Sequence, residues 1–194
     1  QLDQRTLEPR VRQSIQRMLG HLYLSLGESD VAASTFDAGL ADVQPRNRDE
    51  ALALAKDLDG HASALATLER GKESLAKAQQ AATLRQRFAP EDAYQRFLGQ
   101  RQLAIAHGSL ADCKQGDAQW KQAQATARTV AKASAAEVAE AHVGHSRLLF
   151  NCGEYKRGLD VAVQGIAEAD RRGLPGLSPA RADLWHHLSE ALAN

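Results

Sequence analysis

Apolar residues run through this chain in helix-forming stretches that are broken at intervals by glycine and proline. ALALAKDLDGHASALATL (51–68) and SLAKAQQAATLRQRF (74–88) are typical, with few β-branched residues to support strands. The pattern predicts an all-α chain. Prolines mark the joints: Pro9 opens a first helix, Pro45 and Pro90 close two helix pairs, and Pro175 and Pro179 precede the last helix. All five stand outside helix interiors, where proline would cost about 3 kcal/mol. Ser178-Pro179 reads as an N-cap followed by proline at the first helical position. The expected helices are 9–26, 29–43, 48–68, 72–88, 91–114, 118–133, 135–151, 154–172 and 179–193.

A finer pattern lies inside these runs. In LGHLYLSLG (19–27), Leu19 and Gly20 form an L-G pair, Tyr23 follows three residues on, Gly27 falls at a turn, and Ala32 and Phe36 occupy the next helix. GESDVAASTFDAGL (27–40) is echoed by GEYKRGLDVAVQGI (153–166). Between them, Glu69 takes the turn position, with Ala62 and Ser74 at the small positions and Leu65 in the Tyr slot. Gly116 reads as the third turn and Gly153 as the fourth, giving intervals of 42, 47 and 37 residues. Trp185, Leu188 and Ser189 restart the pattern, with Leu192 in the Tyr slot.

On these residues the chain resembles the tetratricopeptide repeat (TPR) proteins. The long intervals, and AATLRQRFAPEDA (81–93), resemble the long-repeat variety of kinesin light chains. Similar arrays occur in regulatory regions of bacterial Ser/Thr kinases and transcription regulators. The resemblance implies an all-α, α-α superhelix (TPR-like solenoid) of about four helix pairs plus a C-terminal capping helix. Residues 1–194 are expected to form a single repeat domain, with repeats at 9–45, 46–90, 91–133 and 134–174 and a capping helix at 178–193, as a piece of a larger protein. It also implies a non-catalytic scaffold for protein–protein interaction, since each pair buries its apolar face only by stacking and leaves a concave groove lined by the first helix of each pair.

Small residues such as Gly20, Ala32, Ala62 and Gly158 then let helices approach, and Tyr23, Phe36 and Leu149 fill the gaps. The groove positions are Ser14, Arg17 and His21; Lys56, Asp59 and Ser63; Glu140, Val143 and Arg147; and Asp183, His186 and Glu190. Arg17, His21, Lys56 and Arg147 are expected to hold an acidic or carboxylate-ended peptide partner by charge-assisted hydrogen bonds. Chaperone-binding relatives place lysine and asparagine where Arg17 and His21 stand here, so this chain departs from that carboxylate clamp. Arg17→Ala combined with Arg147→Ala is expected to weaken binding at least tenfold, on the order of 1.5–3 kcal/mol per charged bond, with the fold intact.

Charge and chemistry narrow the alternatives. With 24 basic and 24 acidic residues, no global field favours nucleic acid or an anionic membrane. Arg46-Asn47-Arg48 and Arg85-Gln86-Arg87 read as solvated helix ends. No apolar run approaches membrane-spanning length, and QLDQRTLEPR at the start lacks a signal-peptide plan, so the expectation is a soluble, cytoplasmic segment. Cys113 and Cys152 show no disulfide-framework or metal spacing and are expected as small buried thiols. No nucleophile elbow, phosphate loop or dinucleotide fingerprint occurs, so no enzyme activity and no cofactor are expected. His142 with His145, and Asp183, His186, His187 and Glu190, are the only clusters suggestive of metal, and none is expected. The rival reading is a ligand-sensing regulatory domain whose pocket would be lined by Tyr94, Phe97, Trp120, Phe150 and Trp185.

Overall fold

In a computed structural model, described over residues 8–192, the chain is helical with tight connections. The helices are α1 (Pro9–Ser25), α2 (Ser29–Leu40), α3 (Arg48–Thr67), α4 (Gly71–Phe88), α5 (Ala93–Ser109), α6 (Cys113–Thr129), α7 (Ala135–Asn151), α8 (Tyr155–Arg171) and α9 (Pro179–Leu192). Local chemistry starts several of them. Pro9 sits in the first turn of α1, Asn47 accepts from the Glu50 amide, Asp92 accepts from those of Tyr94 and Gln95, and Ser134 and Glu137 form a reciprocal capping box. The Ser178 hydroxyl accepts from the Arg181 amide, as the Ser-Pro pair predicts.

Helix boundaries agree with the sequence to within a few residues except around 110–118. There α5 ends at Ser109 and α6 begins at Cys113. The third turn is therefore not at Gly116. Left-handed residues at the turn inside each helix pair are Gly27, Glu69, Ala111 and Gly153, spaced by 42 residues each time, while Asp42 and Gly173 hold the same conformation after α2 and α8. At the four pair turns, the next amide donates back across the helix end: Glu28 to Tyr23, Arg70 to Leu65, Asp112 to His107 and Glu154 to Leu149, at 2.8–3.0 Å. One cap is thus repeated four times in strict register.

That register reassigns Gly116 to the small position of α6, equivalent to Ala32, Ser74 and Gly158. A Cβ there would lie 2.7 Å from Leu148 Cδ2 on α7, so packing is what requires glycine. The other small positions behave alike. A Cβ on Gly20 would lie 2.9 Å from the Phe36 ring, and one on Gly158 would lie 2.5 Å from the Phe150 ring. Where serine replaces glycine or alanine it bonds the opposing backbone: the Ser74 hydroxyl donates to the Ala62 carbonyl (2.8 Å) and the Ser146 hydroxyl to the Gly158 carbonyl (2.9 Å).

The chain packs as two compact units that meet in sequence at Pro90–Glu91. In the first, α1 pairs with α2 and α3 with α4, while α3 also packs on α2 and α1. Phe36, Ala32, Ala64 and Leu65 form one apolar cluster and Leu54, Leu58 and Ala81 a second. In the second unit, α5 pairs with α6 and α7 with α8, α7 packs on α6, and α9 closes over α7 and α8. Phe97, Trp120, Val138 and Leu148 centre one cluster, and Val143, Ala162, Leu174 and Leu184 the other.

The cysteines depart from expectation. Cys113, opening α6, and Cys152, capping α7, form a disulfide with a Cα–Cα distance of 6.1 Å. In register, Cys152 takes the place of Leu26, Leu68 and Leu110 before each turn. A covalent link thus stands where the other repeats carry a leucine.

Candidate binding surface

The predicted groove residues lie on α1, α3, α7 and α9, and the structure gives several of them internal work. Arg17 on α1 contacts Asp57 on α3 at 2.8 Å and donates to the Gly39 carbonyl at 3.0 Å. His21 Nε2 meets the other Asp57 oxygen at 2.9 Å. Asp57 therefore gathers both residues read from sequence as ligand contacts, and the sequence reading did not single it out. The 42-residue register explains why it matters. Arg101 is the third-repeat equivalent of Arg17, and it likewise crosses to the next first helix, reaching Glu140 at 3.2 Å. The same position ties neighbouring helices together in each unit.

Asp59 forms a two-pronged pair with Arg85 of α4, one contact being 3.1 Å, and the Arg85 side chain is only 4% exposed. Arg85 is thus interior, contrary to its reading as a solvated helix end. In the other R-x-R string Arg46 grips Glu50 and holds its carboxyl down at about 2. Val143 is not a groove residue, because it is buried in the α7–α9 cluster. Lys56 in the first unit and Arg147 in the second are exposed, and the described residues offer neither a charged partner. His186 is exposed, and the Glu190 side chain lies outside the described residues, as does that of His187.

A cleft of about 340 Å³ opens in the first unit between α1, α3 and the loop joining α2 to α3. Arg10, Gln13 and Arg17 line one side, Asp42 and Arg46 the loop, and Asp57 the floor. Its charges are mixed, with Arg10, Arg17 and Arg46 beside Asp42, Glu50 and Asp57.

In the second unit Asp117 on α6 takes contacts from Lys121 (2.7 Å), His145 (2.8 Å) and Arg157 (2.7 Å). Burial alone would raise its carboxyl, but the bonds from Lys121, His145 and Arg157 outweigh burial and hold it well below the usual range. His142, the other half of the suspected metal pair, instead bonds the Val138 carbonyl at 2.9 Å. Burial pushes both histidines below their ordinary value. Of the aromatic residues considered for a ligand pocket, Phe97 and Trp120 are buried in one core cluster with Tyr94 packed against it, the Tyr94 hydroxyl donates to Glu137 at 2.6 Å, Phe150 packs on Gly158, and Trp185 is half exposed.

No protein-family model matches the sequence, and no curated protein matches it. Solved structures do match by shape. A Podosopora anserina protein of kinesin light chain type, with nearly identical TPR-like repeats, superposes with TM-score 0.69 at 16% identity, over 96% of this chain and 88% of that one. A Rap protein complexed with Competence and Sporulation Factor gives 0.74 at 14% identity, over 98% of this chain and 54% of that one. BtubC from P. vanneervenii gives 0.67 at 14%, over 91% and 70%. The chain has the TPR-like, all-α helical-repeat fold that its turn register predicted. Among the described residues no helix is long and apolar enough to cross a membrane.

Proposed function

We propose that this chain is a non-catalytic interaction module that takes a peptide or helix on the surface of its first helices. The observation that carries this reading is the exposure of Lys56 and Arg147 at the predicted groove positions, where Arg17, His21, Asp59 and Glu140 are committed to ties within each unit. The Rap structure of the same fold, solved in complex with Competence and Sporulation Factor, supports a binding role for such a fold. An acidic segment fits either cation by charge, Lys56 in the first unit or Arg147 in the second. The alternative is a ligand-sensing regulatory domain of a bacterial signalling protein, and the first-unit cleft is where a small ligand would enter.

The Cys113–Cys152 disulfide favours an oxidising compartment over the cytoplasm expected from sequence, because reducing cytosol keeps most thiols free. Capture of partners on the immobilised chain at moderate salt, set beside thermal shifts with a metabolite panel, separates the two functions. A retained peptide or protein supports the module. A metabolite-specific shift with nothing retained supports the sensor.

A further inference from the structure

The repeat register sets the joint between α6 and α7 beside its counterpart in the first unit. Cys113, the first residue of α6, corresponds to Ser29 of α2, and Cys152, just past α7, corresponds to Leu68, just past α3. Leu68 packs against the Phe36 cluster, and Cys152 against that of Phe97 and Trp120. The α2–α3 joint therefore holds by packing alone, with a serine and a leucine where the α6–α7 joint has a disulfide. Both cysteines are only half-buried. They line a cleft of about 300 Å³ with Lys114, Asp117, Glu154 and Arg157, which opens the bond to a small molecule.

We propose that Cys113–Cys152 is an exchange site for low-molecular-weight thiols, attacked at Cys152 and releasing Cys113. The two sulfurs are not equivalent. Cys113 stands at the N-terminus of α6 beside exposed Lys114, where the helix dipole and the ammonium favour a thiolate, whereas Cys152 stands at the C-terminus of α7, where the last carbonyls disfavour one. The carboxylates nearby are occupied. Asp112 accepts from the Gln115 amide and contacts His107, Asp117 is held by Lys121, His145 and Arg157, and Glu154 meets Arg157 at 3.4 Å. Exchange is faster when the better-stabilised thiolate departs. The incoming thiolate therefore bonds to Cys152 Sγ, the Sγ–Sγ bond breaks, and its electron pair leaves on Cys113. A second thiolate attacks the mixed disulfide, releases the small disulfide, and leaves Cys152 as a thiolate that takes a proton from water. The chain gains two electrons as two small thiols are oxidised to one disulfide. The reduced joint is then a packed one of the α2–α3 kind, whatever partner the first helices hold.

The native chain, equilibrated across a series of reduced-to-oxidised glutathione ratios, acid-quenched and alkylated, reports the state of each cysteine by mass spectrometry. The bond is expected to open and reclose without denaturant, with glutathione on Cys152 and the alkyl group on Cys113 in the mixed-disulfide intermediate. Circular dichroism of the reduced chain should remain helical. Single-cysteine variants test the polarity separately: Cys113 in Cys152→Ser should react with iodoacetamide at about pH 7 about threefold or more faster than Cys152 in Cys113→Ser. A bond that stays closed across the series while the denatured chain opens, cysteines that never join, glutathione found on Cys113, or equal alkylation rates in the two variants would overturn the proposal.

Discussion

Glu69 and Ala111 hold the left-handed turn conformation, at φ 58° and 55°, that Gly27 and Gly153 hold without a side chain. An L residue there costs roughly 1–2 kcal/mol against glycine. Ala111→Gly is therefore expected to stabilise the chain by about 0.5–1 kcal/mol, partly offset by the greater freedom of unfolded glycine, and denaturant melts would show it. Asp57 predicts the opposite sign. Asp57→Ala strands Arg17 and His21 at a partly buried site and should destabilise by about 1–3 kcal/mol. This also corrects the expectation that Arg17 can be removed with the fold untouched.

Burial, the largest influence on His61, pushes it down to about 4, beside the Phe36 ring. Between about pH 6.5 and that value the unfolded chain binds the proton and the folded chain does not, so stability is lost as pH falls through this window. Thermal midpoints should drop from about pH 7 to about pH 5 and drop less in His61→Gln; equal slopes would contradict the assignment. None of this was legible in sequence. Arg17, His21, Asp59 and His61 each take their partner from another helix, so only packing reveals whether a charge is free or bound.

At the scale of elements, helix ends could be read because prolines and caps act locally, and the first, second and fourth turns could be read from their own residues. The third failed for a physical reason. Alanine fills its left-handed position, while a glycine five residues later is there to admit Leu148. The two roles of glycine look identical in a sequence. The disulfide was hidden likewise, because its cysteines are 39 residues apart and meet only when α7 packs on α6. Closing a loop of that length contributes about 4 kcal/mol on a chain-entropy account. Reduction should lower the thermal midpoint of the second unit, and identical melts for oxidised and fully reduced, alkylated protein would contradict a stabilising bridge.

For the whole molecule, the repeat fold was legible because its pattern recurs, whereas the binding surface was legible only as a set of positions. Those positions divide into residues that tie helices together, such as Arg17, Asp59 and Glu140, and residues left outward, Lys56 and Arg147. The division makes the central claim, that the outward charges of the first helices hold the partner, directly measurable. For a captured partner, titration calorimetry with wild-type chain and with Lys56→Glu plus Arg147→Glu compares affinities in proteins of equal thermal stability. A loss of tenfold or more is expected, on the order of 1.5–3 kcal/mol for each charged contact removed. Unchanged affinity would contradict the account and move recognition to another face of the fold.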